Sequence, residues 1–235
     1  MPSDPALRSA RRQLIDLVAG DGLADAARSL VDLPTSPDPR PAAILILFGV
    51  LDGHPSAAAA QAAAVSRDLD VLLLSRATTL RAHPGQVAFP GGRIDPGDAG
   101  AVDAALREAR EETGLDPAGV DVLGVLPDVP LAFSGHVVTP VLGWWRHPTP
   151  VAVVDTAESS DVFRAPVADL LDPANRGVTV IERDGHELRG PAFRVAHVSG
   201  VHLVWGFTAL LLDALFERLG WTEPWDETRQ FPLTL

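Results

Sequence analysis

Arg107-Glu108-Ala109-Arg110-Glu111-Glu112-Thr113-Gly114-Leu115 is the stretch on which the reading of this chain turns. At about 100° of rotation per residue, a helix places Glu108, Glu111 and Glu112 within an arc of about 100° on one face. Val102, Leu106, Ala109 and Thr113 form the adjoining face, which can pack on a sheet. Like charges three and four positions apart repel, by roughly a few tenths of a kcal/mol per pair. Such an oxygen-rich cluster suits a hard divalent cation, which takes a few carboxylates together with substrate phosphate oxygens. Helices rich in Glu and Arg are commonly plain solvated faces, so these residues alone leave both readings open. Their context favours a site, because Gly91-Gly92 closes a loop upstream and Gly114 follows directly after the carboxylates. A solvated face needs neither.

Working outward, Asp98 is the expected N-cap of a helix over residues 99–113, its side chain accepting from orphan N–H groups. Gly114 is the expected left-handed C-cap, with Pro117 just beyond. Upstream, Leu7, Leu14, Ile15 and Val18 recur at helical spacing within Pro5–Ala19, and a Pro-rich linker, Leu33–Pro41, follows. Ala43–Val50 and Asp70–Arg76 read as strands, and the Ala-rich His54–Val65 between them as either a short helix or a mobile insertion. A Gly/Pro-rich stretch, Pro84–Gly97, leads into the glutamate segment. Downstream, strands are expected at Val120–Leu126 and Val137–Trp145. Val178–Arg183 and Phe193–Val198 form a candidate hairpin across Asp184–Gly185, with a loop longer than a two-residue turn. A final helix over Gly206–Leu219 directs Leu210, Leu211, Ala214 and Leu215 to a core, where Trp144, Trp145, Trp205 and Phe207 are also expected. Strands interrupted by a few helices, without regular alternation, predict an α/β fold with a mixed sheet sandwiched by helices.

Composition narrows the chemistry. The 235 residues, 46% hydrophobic and 21% charged, suffice for one substantial core, and length alone does not demand a second domain. Apolar runs such as Ala42–Leu51 are too short to span a bilayer, and no basic region followed by an apolar stretch marks a secretory signal. Cysteine is absent, which excludes a thiol nucleophile, a zinc–thiolate site and disulfides, and fits the cytoplasm. The formal net charge is −12 and there is no lysine, so an anion must be held by arginine, histidine, backbone N–H groups or a metal ion. Walker-type lysines and Schiff-base chemistry are excluded with it. An acidic chain also lacks the basic face that a nucleic-acid backbone requires.

Gly92-x5-Asp98-x8-Arg107-Glu108-Ala109-Arg110-Glu111-Glu112-Thr113-Gly114-Leu115 resembles the Nudix box, G-x5-E-x7-R-E-U-x-E-E-x-G-U with U aliphatic. Asp98 stands where that consensus has glutamate, and one extra residue precedes Arg107. Upstream, Leu73-Leu74-Ser75-Arg76-Ala77, Leu80-Arg81, His83, Gly85-Gln86-Val87 and Phe89-Pro90-Gly91-Gly92 resemble the extended signature of the coenzyme A pyrophosphatase branch of that family. That branch is similar to this chain in both departures. Val138-Thr139-Pro140-Val141 and Val204-Trp205-Gly206-Phe207-Thr208-Ala209 are similar to further segments of the branch, so the likeness runs from Ala43 to Leu219.

The resemblance implies an α/β/α sandwich and one Nudix domain over residues 1–235: an N-terminal helix and linker at 1–41, a core at 42–219 and a tail at 220–235. It implies Mg²⁺ or Mn²⁺ held by Glu108, Glu111 and Glu112 with the Gly92 carbonyl, and Arg107 orienting a glutamate. Glu111, Glu112 and Arg107 are then catalytic, and Glu158, outside the box, is a candidate to take the proton of the attacking water. Arg76 and Arg81 are candidate phosphate clamps or surface ion-pair partners, and His83 a phosphate donor or a structural histidine. The expected substrate is coenzyme A, oxidised or acylated forms included, with no nucleic-acid or membrane partner. The N-terminal helix would cover the core or form a homodimer contact. Competing readings keep the chemistry but change the substrate to ADP-ribose, NADH or a dinucleoside polyphosphate, or keep the fold as a non-catalytic nucleotide-binding module.

Overall fold

Strand β1, Arg40–Gly49, is apolar from Pro41 onward, as a strand covered on both faces must be. The computed structural model describes residues 5–20, 38–50, 55–79, 85–131, 135–183 and 186–233. In it β1 lies parallel to β7 (His136–Trp145) and antiparallel to both β2 (Asp70–Arg76) and β4 (Gly91–Arg93). The main sheet runs β3-β2-β1-β7-β5, with β3 at Val87–Ala88 and β5 at Val120–Val125. Strand β6 (Val129–Leu131) pairs with β7, and β8 (Ser159–Pro166) with β2. The sheet is mixed, as expected.

Alternation along β1 divides the core. Ala43, Leu45 and Leu47 face Ala104, Ala105 and Ala109 of the glutamate helix α2 (Ala101–Thr113), with Leu72, Val141 and Trp145 closing the cluster. Ile46 and Phe48 face the other way, toward helix α1 (Pro5–Ala19), helix α4 (Gly206–Arg218) and a second sheet. Leu14 of α1 is fully buried there, and Trp221 donates its indole N–H to Gln13 at 2.7 Å, so the N-terminal helix covers the core. Short helix α3, Val167–Leu171, lies between β8 and the second sheet.

Several expectations require correction. Helix α2 begins at Ala101, not residue 99, and its N-cap, Gly100, makes no side-chain bond. Asp98 is occupied by Arg107 and by the Asp95 N–H. The face of α2 on the sheet is Ala104, Ala105, Ala109 and Thr113, with Val102 and Leu106 only half-buried. At the other end Gly114 is the left-handed cap, φ 71°, donating its N–H to Arg110.

The expected hairpin belongs to a three-stranded sheet, β11-β10-β9, made of Arg176–Arg183 (β9), His186–His197 (β10) and Gly200–Val204 (β11). Arg183 pairs with His186, so the connection across 184–185, which lies outside the described residues, is two residues long. Gly190-Pro191 reads as a breaker, yet Pro191 pairs with Val178 inside β10. β11 pairs only with Phe193–His197, so β10 is an edge at Pro191 and needs no N–H there.

The described part of the Ala-rich segment is neither helix nor strand. Ala64 and Val65 are buried in the core, and the Gln61 N–H and side-chain amide both donate to Glu223, at 2.7 and 3.0 Å. Those contacts tie it down. Trp144 and Trp145 are core, whereas Trp205 and Phe207 are half-buried.

Candidate active site

The β4–β1 pairing sets Gly91-Gly92 beside the C-terminal half of α2: Gly92 lies opposite Ala43, and Gly91 opposite Ile44. From there the Gly91 N–H donates to Glu112 Oε2 at 2.9 Å. Glu108 lies directly on Gly92, where a Cβ would fall 2.4 Å from its carboxyl carbon and one of its oxygens. A larger residue there would displace the Glu108 carboxylate.

Arg107 organises the opposite flank. Its Nε and Nη2 donate to the two oxygens of Asp98 at 2.9 and 3.0 Å, a bidentate fork. Nη1 donates to Glu108 Oε1 at 3.0 Å and Glu111 Oε2 at 3.1 Å, and Nη2 also to the Arg93 carbonyl at 3.0 Å. One guanidinium thus joins the glycine loop, the turn before the helix and two helix glutamates. Hydrogen bonding from Arg107, then from the Asp95 N–H, holds the Asp98 carboxyl below its usual range. Sequence reasoning missed this pairing. A fork nine residues away in sequence outcompeted local capping, and the acidic residue nearest before the helix was the only available signal.

The electrostatics single out Glu112. Burial pushes its carboxyl up to about 7, and the Glu108 and Glu158 charges push the same way, while the Gly91 N–H and Arg76 oppose them. Burial also raises Glu108, against the pull of Arg107. Glu111 is the exposed member, its side chain 58% accessible. A mostly buried carboxylate among like charges calls for a proton or a cation beside it. The donors are hard oxygens, so a hard divalent cation fits this group.

Arg76, at the end of β2, and Glu158, in the turn before β8, both stand close enough to act on the Glu112 charge. The backbone brings their segments together, because the Ala77 N–H donates to the Glu158 carbonyl at 2.9 Å and Arg76 pairs with Ser159. Arg76 Nε is buried with no hydrogen-bond partner among the described residues. Arg81 and His83 lie outside the described residues. The structure therefore gathers Glu108, Glu111, Glu112, Arg107, Gly92, Arg76 and Glu158 around the β4–α2 junction.

Residues 55–181 match the family described as NUDIX domain. A Cronobacter sakazakii protein named uncharacterized Nudix hydrolase NudL is 41% identical over 150 residues, 64% of this chain and 75% of that protein. The protein of the same name from Escherichia coli strain K12 is 40% identical over 151 residues, with the same two shares. Among solved structures, the NUDIX domain of Shewanella oneidensis NrtR, complexed with ADP ribose, is 22% identical at a TM-score of 0.41, covering 62% of this chain and 85% of that one. With more than half of the chain matched by the family, and three quarters of each NudL relative covered at about two-fifths identity, the chain belongs to the Nudix family.

Proposed function

We propose that this Nudix hydrolase cuts the diphosphate linkage of coenzyme A, or of its oxidised or acylated forms. The products are 4′-phosphopantetheine (or its derivative) and adenosine 3′,5′-bisphosphate. The observation that carries the reading is Arg76. This residue of the coenzyme A signature stands close enough to act on the charge of the buried Glu112, and its Nε has no hydrogen-bond partner among the described residues, which leaves a cation for a diphosphate oxygen.

Glu108, Glu111, Glu112 and the Gly92 carbonyl would hold Mg²⁺ or Mn²⁺, which when bound neutralises diphosphate charge and acidifies a water. The chain's own groups do the remainder. Arg107 fixes Glu108 and Glu111 against the glycine loop, so their oxygens are placed before substrate arrives. The Gly91 N–H anchors Glu112 Oε2 and leaves Oε1 for the site. Arg76 and Arg81 would clamp phosphate oxygens of the diphosphate or the 3′-phosphate, and His83, carried by the same signature, would be a further phosphate donor. Water oxygen attacks one phosphorus, the bridging P–O bond breaks, and the water's proton passes to a carboxylate, for which Glu158 is our candidate.

Product mass spectrometry after incubation with coenzyme A, its 3′-dephospho form, NADH and ADP-ribose, with and without Mg²⁺ or Mn²⁺, tests this. Coenzyme A should give the highest kcat/KM and the two named products. Preferred turnover of NADH or ADP-ribose would reject the substrate while leaving the chemistry, and no metal-dependent turnover of any of them would reject both.

A further inference from the structure

On the sheet face opposite α2, three ligand-bearing side chains converge from β8 and the β10–β11 hairpin. They are Asp161, His197 and His202, whose donor atoms all lie within 4.8 Å of one another. We propose that they form a second metal site, for a first-row transition ion such as Zn²⁺, separate from the glutamate helix.

The distances support this. Asp161 Oδ2 is 3.0 Å from His202 Nε2 and 3.5 Å from His197 Nδ1. Ligands about 2.0–2.1 Å from a tetrahedral Zn²⁺ lie about 3.3 Å from one another. The two observed edges bracket that value. The fourth vertex is also supplied: Ser199 Oγ is 2.9 Å from His197 Nδ1, 2.9 Å from His202 Nε2, and hydrogen-bonds to Asp161 Oδ2. Ser199 Oγ thus touches all three donors, whose remaining His197–His202 edge is within 4.8 Å, and Ser199 or a water would be the fourth ligand.

The surroundings are those of a built site. Ser75 Oγ lies 3.1 Å from His202 Nδ1, so Nδ1–H can donate to it and leave the Nε2 lone pair facing the site. Phe163 stacks on the His202 ring at 4.1 Å between centroids, 9° from parallel, which fixes the ring plane. The ligands come from paired strands, since Asp161 lies opposite Ser75 and His202 opposite Val195, and His197 closes the hairpin against Gly200. His197 is 27% accessible, so one side of the site opens to solvent. Two imidazoles and one carboxylate favour Zn²⁺ and its neighbours over Mg²⁺, the reverse of an all-oxygen cluster. A bound ion would pin the hairpin of the second sheet to β8 of the first, so the role we assign is stabilisation.

The test is a Zn²⁺ titration of the metal-stripped, tag-free chain in excess Mg²⁺, read by thermal unfolding and, with Co²⁺ as substitute, by visible absorption. The chain should take up Zn²⁺, unfold at higher temperature and show the absorption of tetrahedral Co²⁺. His197→Ala and Asp161→Asn should bind at least about tenfold more weakly and lose that absorption. Both should keep their circular dichroism and their Mg²⁺-dependent turnover. Glu112→Gln should bind Zn²⁺ as the wild type does. Absence of Zn²⁺ binding by the wild type would overturn the proposal, as would binding that survives His197→Ala and Asp161→Asn but is lost in Glu112→Gln.

Discussion

Glu112 Oε2 accepts the backbone N–H of Gly91 at 2.9 Å, and this bond holds a mostly buried carboxylate where the glycine loop meets the helix. Its consequences are first thermodynamic. Burial raises the folded carboxyl well above the ordinary glutamate range, to about 7, so the fold favours its protonated form. Stability tied to this group is full below the unfolded pKa and falls as pH rises to about 7, by about 3 kcal/mol at most. In metal-free protein, Glu112→Gln should therefore raise Tm at pH 8 and leave it nearly unchanged at pH 4. Thermal denaturation of both proteins across that range checks this, and equal Tm differences at both ends would contradict it. Mg²⁺ should raise the wild-type Tm more at pH 8 than at pH 5, because ion and proton compete for the carboxylate.

Gly92→Ala separates the site from the fold. The added methyl meets the end of the Glu108 side chain, which can swing away, so Tm should move little. The displaced carboxylate should cost at least about tenfold in kcat/KM, since small displacements of positioned groups are expensive in catalysis. Steady-state kinetics beside a melting curve checks both halves.

Arg107→Lys keeps the charge but loses the fork that serves Asp98, Glu108, Glu111 and the Arg93 carbonyl together. Activity should fall, and the Mg²⁺ concentration for half-maximal rate should rise, because the glutamates are no longer pre-placed. An unchanged metal dependence would show that Arg107 does not position them.

Arg76→Ala should act mainly on substrate. Loss of a charge-assisted phosphate contact predicts a KM for coenzyme A higher by about tenfold or more, with a smaller change in kcat. A kcat effect with unchanged KM would place Arg76 elsewhere in the cycle.

How far these features were legible in the sequence follows from how local each one is. The span from Arg107 to Gly114 is contiguous, so its helix, carboxylate face and left-handed terminus could be read directly. Strand β2 was bounded correctly because an apolar run stands between Asp70 and Arg76. Asp98 was misassigned because capping is judged locally, while its partner Arg107 is reached only once loop and helix fold together. The second sheet was half seen, since Pro191 masks a strand that tolerates it only where β11 stops. The Asp161–His197–His202 group was invisible, because β8 carried no strand expectation and nothing in the sequence links it to the hairpin.

The most direct measurement is the Mg²⁺- or Mn²⁺-dependent rate of coenzyme A cleavage by the wild type and by Glu112→Gln, each shown to be folded by circular dichroism. The wild type should turn over and the variant should lose at least about a thousandfold, the scale at which removing a central electrostatic group acts. Equal rates in the two proteins would contradict the assignment of this carboxylate cluster as the catalytic site.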